Sequence, residues 1–276
     1  MDPKSHQGLE EQLRKVLRTS ILTPCGHIEG GCISQARKYD TDQGRVFVKW
    51  NHGEKAVTMF GGEISSLEAI RRTCTVRVPR PITLAELPAG GAVLVMKYLE
   101  LRPIRRFARR LGEQLGDLHA YNGLMQSKMQ KTVGIIGKYP ESPGAVENFG
   151  FHTTTCCGYI PQRKVPNAFR DTTIVPALLH GDLWEANVGE DDRGPVLFDP
   201  GSFYGHSEYE LSIGDMFGDR CGEFYEAYHR KIPKSPGFEL RQPLYQLFHS
   251  LNNWNHFGSA FRRSTLDLMR YLLQIL

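Results

Sequence analysis

The sequence predicts an α+β, bilobal protein with a small β-rich N-terminal lobe and a larger, mainly helical C-terminal lobe. Strand and helix patterns alternate over the first third of the 276 residues, whereas helical patterns dominate the second half apart from strands around residues 180–199. An unbroken apolar strand also ends just before residue 97. We therefore place an N-terminal lobe at residues 1–96, a hinge at 97–100 and a C-terminal lobe at 101–276.

Hydrophobic periodicity and turn composition place the elements of the N-terminal lobe. Residues 9–18 have the spacing of a short amphipathic helix. Candidate strands at 36–39 and 45–50 are joined by a turn rich in Asp and Gly. A helix is predicted over residues 54–72, although its two adjacent glycines each cost ~1 kcal/mol relative to alanine. The apolar run 92–96 is predicted to be a buried strand. The predicted buried stripe of the 54–72 helix consists of Val57, Phe60, Ile64 and Leu67.

The C-terminal lobe is predicted to begin with a strong helix that starts at Pro103. Its apolar residues recur at steps of three and four. From Gly123 to Thr173 this periodicity is lost, apart from short strands such as 151–157, and so long a structureless connection is unusual in a compact domain. Further helices are predicted at 208–217, 222–230, 240–257 and 264–275.

Composition and charge argue against several classes of function. The net charge of +4 and the pI of about 8.7 are only mildly basic, so no nucleic-acid partner is predicted. One arginine cluster is interpreted as a solvated helix face, with a phosphate or acidic-protein contact as the alternative: Arg102, Arg105, Arg106, Arg109 and Arg110. No apolar run approaches the ~18 residues that would span a membrane.

The N-terminus and the cysteines point to the cytoplasm. Residues 1–11 contain neither an apolar signal core nor the acid-poor composition of a mitochondrial presequence. The six cysteines lack the paired spacing of zinc or redox CxxC motifs. We therefore expect reduced thiols and a cytoplasmic location.

The segment HGDLWEAN, residues 180–187, contains the most informative spacing in the chain. Asp182 and Asn187 are five residues apart, and Asp199 follows the short apolar strand 196–198. In phosphoryl transfer from ATP, an Asp at this position accepts the proton of the acceptor hydroxyl, and the Asn and the second Asp hold Mg²⁺. Three such residues in this order are hard to assemble by chance. Hard oxygen ligands also suit Mg²⁺.

Two residues of the N-terminal lobe complete this pattern. Lys49 ends the strand VFVK and would contact the α- and β-phosphates of ATP, whereas Glu63, on the next helix, would orient Lys49. Each residue alone has an ordinary interpretation. Lys49 could be an exposed strand lysine, Glu63 a solvated helix residue and Asp199 part of a turn, and Gly30–Gly31 lacks the GxGxxG pattern.

Several segments together resemble the fructosamine-3-kinase family, and its ketosamine-3-kinase branch somewhat more than the rest. These segments are GGCISQARKYDTDQGRVFVK, FGFHTTTCCGYIPQ, HGDLWEAN, FDPGSFYGHSEYEL, YHRKIPKSPGF and YQLFHSLNNWNHFG. The resemblance implies a protein-kinase-like fold close to aminoglycoside and choline kinases. It also implies ATP-dependent phosphorylation of the 3-hydroxyl of a ketosamine, the sugar adduct on a glycated lysine, followed by deglycation. The expected substrates are glycated proteins or small ketosamines (ribulosamine, psicosamine or fructosamine).

The resemblance assigns roles by position. It makes Asp182 the catalytic base. The ATP-orienting pair is matched by Lys49 and Glu63, and the metal ligands are matched by Asn187 and Asp199. The adenine hinge is matched by Lys97, Tyr98 and Leu99, and the Gly-rich loop at ATP includes Gly31 and Cys32. The supports of the catalytic loop are matched by His180 and Glu210.

Two of the matched residues have alternatives that stay open. Trp184 matches a substrate-side aromatic on which a sugar ring could lie, but it could also be a core or interface aromatic. Cys32 matches a cysteine that is redox-sensitive in some family members and can link two subunits, but it could also be a small buried strand residue. The expected assembly is a monomer or a redox-linked homodimer.

The chain departs from the family between Gln162 and Ile174. There the family has a helical segment of several tens of residues that helps to wall the acceptor site, and this chain has only RKVPNAFRDTT. The loss of packed helices favours an alternative function, a shortened pseudokinase that binds nucleotide without turnover. A third possibility is another small-molecule kinase of the same fold, acting on choline or an aminoglycoside.

Overall fold

The structure is a computed structural model that describes residues 3–30, 33–132, 145–157, 160–161, 174–213 and 221–275. The N-terminal lobe consists of helix α1 (Pro3–Leu17), strands β1 (Leu22–Gly30), β2 (Gln35–Thr41) and β3 (Gly44–Asn51), helix α2 (Ala56–Thr73), and strands β4 (Pro81–Glu86) and β5 (Ala92–Lys97). The five strands form one antiparallel sheet in the order β1-β2-β3-β5-β4. The strands predicted at 36–39, 45–50 and 92–96 are confirmed as β2, β3 and β5.

The two faces of this sheet have different partners. Val46, Val48 and Trp50 of β3 are buried in one hydrophobic cluster with Leu9 and Leu13 of α1. Successive side chains of a strand point to opposite faces, so Lys49 must point to the other side of the sheet. Helix α2 packs on that side, where its apolar residues share a cluster with alternate residues of β5. The strand period thus directs Lys49 toward α2.

Helix α2 forms as predicted, but its buried stripe differs from the predicted one. Val57 is 38% exposed, so its assignment to the core is wrong. The stripe instead begins one residue earlier and recurs at steps of four and three: Ala56, Phe60, Glu63, Leu67 and Ile70. Glu63 therefore lies within the buried face of α2, and its carboxylate faces the side of the sheet on which Lys49 lies.

The adjacent glycines of α2 are predicted to respond oppositely to substitution. A Cβ on Gly61 would meet nothing within 4 Å, whereas a Cβ on Gly62 would lie 2.4 Å from the backbone oxygen of Thr154. We expect Gly61→Ala to raise the free energy of unfolding by ~0.5–1 kcal/mol, because glycine is costly inside a helix. We expect Gly62→Ala to lower it by ~1–3 kcal/mol, because rigid backbone must move. Urea denaturation of the two variants tests this, and equal signs would contradict it.

Within the residues that the structure describes, the C-terminal lobe is mainly helical and contains three short antiparallel strand pairs. Its helices are α3 (Ala108–Thr132), α4 (Ser207–Glu210), α5 (Cys221–Lys231), α6 (Phe238–Phe257) and α7 (Arg262–Ile275). Its strand pairs are β6 (Cys156–Cys157) with β7 (Ile160–Pro161), β8 (Ala177–Leu179) with β11 (Phe203–Gly205), and β9 (Val188–Asp191) with β10 (Gly194–Leu197). One hydrophobic cluster runs from α2 and β5 into α3, β8 and β10, and so joins the two lobes.

Helix α3 does not begin at Pro103 as predicted. Backbone N–H groups of Arg105, Arg106 and Phe107 donate to the Glu190 carboxylate, and Arg102 pairs with Glu190 as an isolated β-bridge. These contacts hold the chain outside helical geometry until Ala108. Of the five clustered arginines, only Arg109 and Arg110 therefore lie on the helix.

Other predicted boundaries also need correction. Helix α3 continues nine residues past Gly123 to Thr132, because a polar stretch of good helix formers needs no apolar stripe to stay helical. Strands β1 and β4 were not predicted. Of the helix predicted at 208–217, the described residues up to 213 contain only α4, and residues 214–220 lie outside the described ranges. None of the helices in the described part of the chain is long and apolar enough to cross a membrane.

Candidate active site

The loop that follows β8 is held in one conformation by Glu210. The buried Glu210 carboxylate accepts hydrogen bonds from the backbone N–H groups of His180 and Gly181, the latter at 2.9 Å. Gly181 has a φ of 88°, and a Cβ there would lie 2.2 Å from the backbone oxygen of Gly201, so only glycine fits. The His180 imidazole Nε2 lies 3.0 Å from the backbone oxygen of Phe198. The loop is thereby tied to the segment that contains Asp199.

Asp182 and Asn187 lie side by side at the end of this loop. The Asn187 amide Nδ2 donates to the backbone oxygen of Asp182 at 2.8 Å and to its carboxylate Oδ2 at 3.1 Å. Because Nδ2 faces two acceptors, the orientation of the Asn187 amide is determined and its Oδ1 is the atom able to ligate a cation. A 3₁₀ turn over Glu185–Asn187 places the amide there. Trp184, between the two residues, is 46% exposed.

Lys49, Glu63 and Asp199 form a second group. The Lys49 ammonium Nζ lies 2.8 Å from Glu63 Oε2 and 2.6 Å from Asp199 Oδ1. Asp199 has a positive φ of 58°, and its side chain is 52% exposed. The Phe198 N–H donates to the Asn187 backbone oxygen at 3.0 Å, so Asp199 directly follows a residue paired with Asn187. The structure therefore brings all five predicted polar residues into one connected arrangement.

The charges in this group are strongly coupled. Burial raises the pKa of Glu63 to about 7, because desolvation and the Asp199 charge outweigh the nearby Lys49 ammonium. Burial lowers the pKa of Lys49, but the Asp199 and Glu63 carboxylates raise it more, so its pKa lies above the ordinary value. Desolvation also raises the pKa of Asp199, but Lys49 more than offsets this and holds that pKa below its usual range. One ammonium thus balances two carboxylates, and Lys49 stays charged.

Glu63→Gln is expected to stabilise the nucleotide-free protein above pH 7. Because the pKa of Glu63 is raised from 4.5 to about 7 in the folded state, the unfolded chain releases this proton first. Stability from this group therefore falls as the pH rises through that window. The glutamine variant avoids this loss, so its melting temperature should exceed that of the wild type above pH 7 and approach it near pH 5.

The matched control for this prediction is Glu68→Gln on the same helix. The Glu68 side chain is 46% exposed and faces Arg72 across one helical turn. Its replacement should shift the melting temperature equally at both pH values. A difference between Glu63→Gln and the wild type that does not vary with pH would contradict the raised pKa.

The donor set at Asn187 and Asp199 fits Mg²⁺ held together with phosphate groups. Within the described ranges, no three His, Cys, Asp or Glu side chains converge as a metal site. Mg²⁺ is commonly bound through one or two protein oxygens while substrate phosphates and water complete its shell. Asn187 Oδ1 and the Asp199 carboxylate are hard oxygen donors of this kind.

The predicted hinge residues lie where the sheet ends. The ladder between β3 and β5 runs as far as Lys97, whose side chain is exposed. The ring of Tyr98 is approached by the cations of Lys38 and Arg45 at 5.5 and 5.6 Å, and Leu99 is half-buried. The predicted loop residues Gly31 and Cys32 lie outside the described residues. The adenine and redox assignments therefore stay predictions.

Sequence reasoning missed a small polar cluster that ties α2 to the segment after Asp199. The Ser202 N–H donates to the Ser66 hydroxyl at 3.0 Å, and the Thr155 hydroxyl donates to the Ser202 backbone oxygen at 2.9 Å. All three residues are buried. These residues are 47 to 136 positions apart along the chain, and no local pattern indicates the contacts.

Comparison with known proteins decides the family. The family model described as fructosamine kinase matches residues 4–166 and 161–275. The chain belongs to the fructosamine kinase family. Ketosamine-3-kinase from Mus musculus is 47% identical over 307 aligned positions, which cover 96% of this chain and 99% of the mouse protein.

Solved structures establish the fold of this family member. A protein from Haemophilus somnus 129PT assigned as a fructosamine-3-kinase superposes with a TM-score of 0.77 at 17% identity, covering 98% of this chain and 99% of that one. A spectinomycin phosphotransferase solved with ADP and spectinomycin superposes with a TM-score of 0.52 at 10% identity, covering 96% and 93%. At these identities the likeness shows the fold alone. It is the predicted protein-kinase-like fold of the aminoglycoside phosphotransferase type.

The family match is interrupted where the sequence predicts a missing segment. The two matched parts meet at residues 161–166. Because 96% of 276 residues is about 265, an alignment of 307 positions leaves about 42 positions at which this chain has no residue. This chain is therefore a shortened member of the family relative to the mouse protein.

Proposed function

We propose that this protein transfers the γ-phosphoryl group of ATP to the 3-hydroxyl of a ketosamine. The observation that carries this proposal is the Lys49 ammonium, which lies within 2.8 Å of both the Glu63 and Asp199 carboxylates, beside the Asp182–Asn187 pair. Family membership supports a ketosamine as the acceptor, because the mouse relative is a ketosamine-3-kinase. Product decomposition after phosphorylation would free the lysine amine and so accomplish deglycation.

Asp182 would act as the general base. Its carboxylate is partly buried and would accept the proton of the attacking 3-hydroxyl as the phosphoryl group departs from ATP. The Asn187 amide, 3.1 Å from Asp182 Oδ2, holds the carboxylate in one orientation. Trp184 stands next to Asp182 with its ring half-exposed, so a sugar ring could lie against it.

Lys49 would contact the α- and β-phosphates of ATP, with Glu63 fixing its direction. Asp199, which pairs with Lys49 in the nucleotide-free protein, would be one of the residues that hold the metal when ATP binds. Mg²⁺ held by Asn187 and Asp199 would neutralise charge on the phosphates. Lys97, Tyr98 and Leu99 would border the adenine at the hinge. Most of the rate enhancement would come from these positioned charges, because phosphoryl transfer needs little covalent chemistry from the protein.

The alternative functions have less support. A pseudokinase is expected to have lost a base, a metal ligand or the ATP-orienting lysine, and here Asp182, Asn187, Asp199 and Lys49 are all present and connected. A choline or aminoglycoside kinase is disfavoured by the family match, which covers nearly the whole chain. A cytoplasmic location, where ATP and reduced thiols are available, fits the proposed reaction. Whether the protein is a monomer or a redox-linked homodimer stays a prediction.

The test is an assay of the purified full chain with ATP and Mg²⁺. Ribulosamine, psicosamine and fructosamine adducts of lysine, free and on a glycated protein, serve as acceptors, with choline and an aminoglycoside as controls. ADP release and a ³¹P resonance of a sugar phosphate report transfer. We expect transfer to at least one ketosamine and to neither control. Nucleotide binding without transfer to any ketosamine would support the pseudokinase instead.

A further inference from the structure

The hairpin of β9 and β10 connects the candidate active site to an ion pair at its far end. At one end, Asn187 pairs with Phe198, and Asp199 follows directly. At the other end, Asp191 pairs with Gly194 across the turn. Three paired positions lie between the two ends, which are therefore roughly 13 Å apart at ~3.3 Å per residue. We expect a displacement of the turn to move the segments that hold Asn187 and Asp199, because the two strands are paired along their whole length.

Arg77 fastens the N-terminal lobe to this far end. It lies in the connection between α2 and β4, four residues after α2 ends at Thr73. Its guanidinium contacts the Asp191 carboxylate with two hydrogen bonds, of 2.7 and 2.8 Å. Both side chains are largely buried, with 29% and 18% exposed. In addition, the Leu197 N–H donates to the Arg77 backbone oxygen at 2.9 Å.

The two attachments have different consequences. The backbone contacts, a parallel β-bridge between Arg77 and Val196 together with the Leu197 N–H bond, join the connection to β10. The bidentate guanidinium–carboxylate pair adds a contact of fixed direction and distance at the turn. Glu63 of helix α2 holds Lys49, and Asn187 and Asp199 lie just outside the two ends of the hairpin strands. The Arg77–Asp191 pair is therefore one of the contacts that orient these two elements, beside the shared hydrophobic cluster and the Lys49–Asp199 pair, and it lies outside the candidate site.

We propose that Arg77 is a positioning residue for phosphoryl transfer. Its ion pair with Asp191, added to the backbone bridge, helps to set the angle between α2 and the hairpin, and hence the separation of the phosphate-binding Lys49 from the metal ligands. This inference rests on the proposed function for its consequence in turnover. Its direct effect is on the binding of ATP with Mg²⁺, because that ligand spans both elements. The acceptor would meet Asp182 and Trp184 of the catalytic loop, so its KM is expected to stay unchanged.

The experiment compares Arg77→Met, Arg77→Lys, Asp191→Asn and the double variant Arg77→Met/Asp191→Asn. Asparagine keeps the Oδ1 acceptor that the Arg193 N–H contacts at 2.8 Å, so it removes the charge without opening the turn. We expect Arg77→Met to raise the KM for ATP·Mg²⁺ about tenfold, as loss of one charge-assisted bidentate contact implies, with the KM for the ketosamine unchanged. Lysine should restore part of the loss.

A purely structural role has a different signature. Partial unfolding lowers kcat through the active fraction and leaves the KM for ATP·Mg²⁺ unchanged, so that outcome overturns the inference. An effect in the double variant equal to the sum of the single effects would also overturn it, because residues that act through one pair are not additive. Arg270→Met removes an exposed ion pair with Asp267 on α7 and should change neither KM.

The outcome stays decisive if a variant is unstable or the proposed function fails. Assays run well below the lowest melting temperature, and if Arg77→Met does not fold, Asp191→Asn carries the same expectation. If the wild type transfers phosphate to no ketosamine, the proposed function is wrong. The dissociation constant for ATP·Mg²⁺, measured by titration calorimetry, then replaces the KM and decides the positioning role by the same tenfold criterion.

Discussion

Asp182→Asn is expected to lower kcat for ketosamine phosphorylation by a factor of roughly 10²–10⁴, the usual contribution of a general base. An amide cannot accept the proton of the acceptor hydroxyl at neutral pH. Its oxygen can still accept the hydrogen bond that the Asn187 amide donates to Asp182 Oδ2 at 3.1 Å, so the loop should keep its shape. ATP is held by other residues, and its affinity should change by less than about twofold.

The measurement is ADP release at saturating ATP and ketosamine, with calorimetry for ATP binding. Asp267→Asn provides the matched control, because Asp267 is 57% exposed on α7 and pairs with Arg270 across one helical turn. It should leave kcat unchanged. Turnover of Asp182→Asn at the wild-type rate would remove Asp182 from the role of base, even if the protein proves to be a kinase.

The sequence predicts those parts of the site that depend on residues close together in the chain. The strand period in VFVK determines the face on which Lys49 lies, since Trp50 and Val48 are buried against α1 on the other. The spacing from Asp182 to Asn187 is short enough for one loop to determine, and the structure closes it with two hydrogen bonds. In both cases the position of the side chain is determined by residues that are close to it in the sequence.

The two strands that the sequence did not reveal are the edges of the sheet. β1 contains Pro24 and Gly26, and β4 begins at Pro81. Proline and glycine weaken strand patterns and are tolerated mainly at edges, where one side of the backbone has no partner strand. The order β1-β2-β3-β5-β4 places these two elements there. The sequence pattern therefore predicts the inner strands, and it fails for the edge strands, whose residues are less constrained by pairing with neighbouring strands.

The remaining misses come from contacts between distant parts of the chain. Glu190 delays the start of α3 by accepting N–H groups 83 to 85 residues away. The exposed Val57 and the buried Glu63 depend on how α2 rotates against the sheet. Tertiary packing determines that rotation, because helical periodicity gives the spacing of the buried residues but not which of the neighbouring residues is buried first. The Lys49 ammonium supplies a counter-charge that offsets the cost of burying Glu63 at this position of the helix.

Arg241→Met is expected to lower the free energy of unfolding by ~3–5 kcal/mol, the cost of breaking a buried ion pair by removing one partner. Arg241 and Glu208 are each only 6% exposed, and the guanidinium makes two hydrogen bonds of 2.7 Å to that carboxylate. Desolvation raises the pKa of Glu208, but Arg241 and the Ser235 hydroxyl lower it more, so the carboxylate is ionised. Methionine would leave that charge buried with little compensation.

This pair matters because it attaches α6 to the segment that follows the catalytic loop. Arg241 lies in the first turn of α6, and Glu208 lies on α4, two residues before the loop-supporting Glu210. Lys234→Met, which removes a pair with Glu239 whose side chain is 74% exposed, should leave the stability unchanged in the same urea denaturation experiment. Glu208→Leu/Arg241→Met should recover most of the loss, because the buried charge is gone. A double variant as unstable as Arg241→Met would instead assign the loss to the packing of the arginine stem, and α6 would then be held by shape rather than by charge.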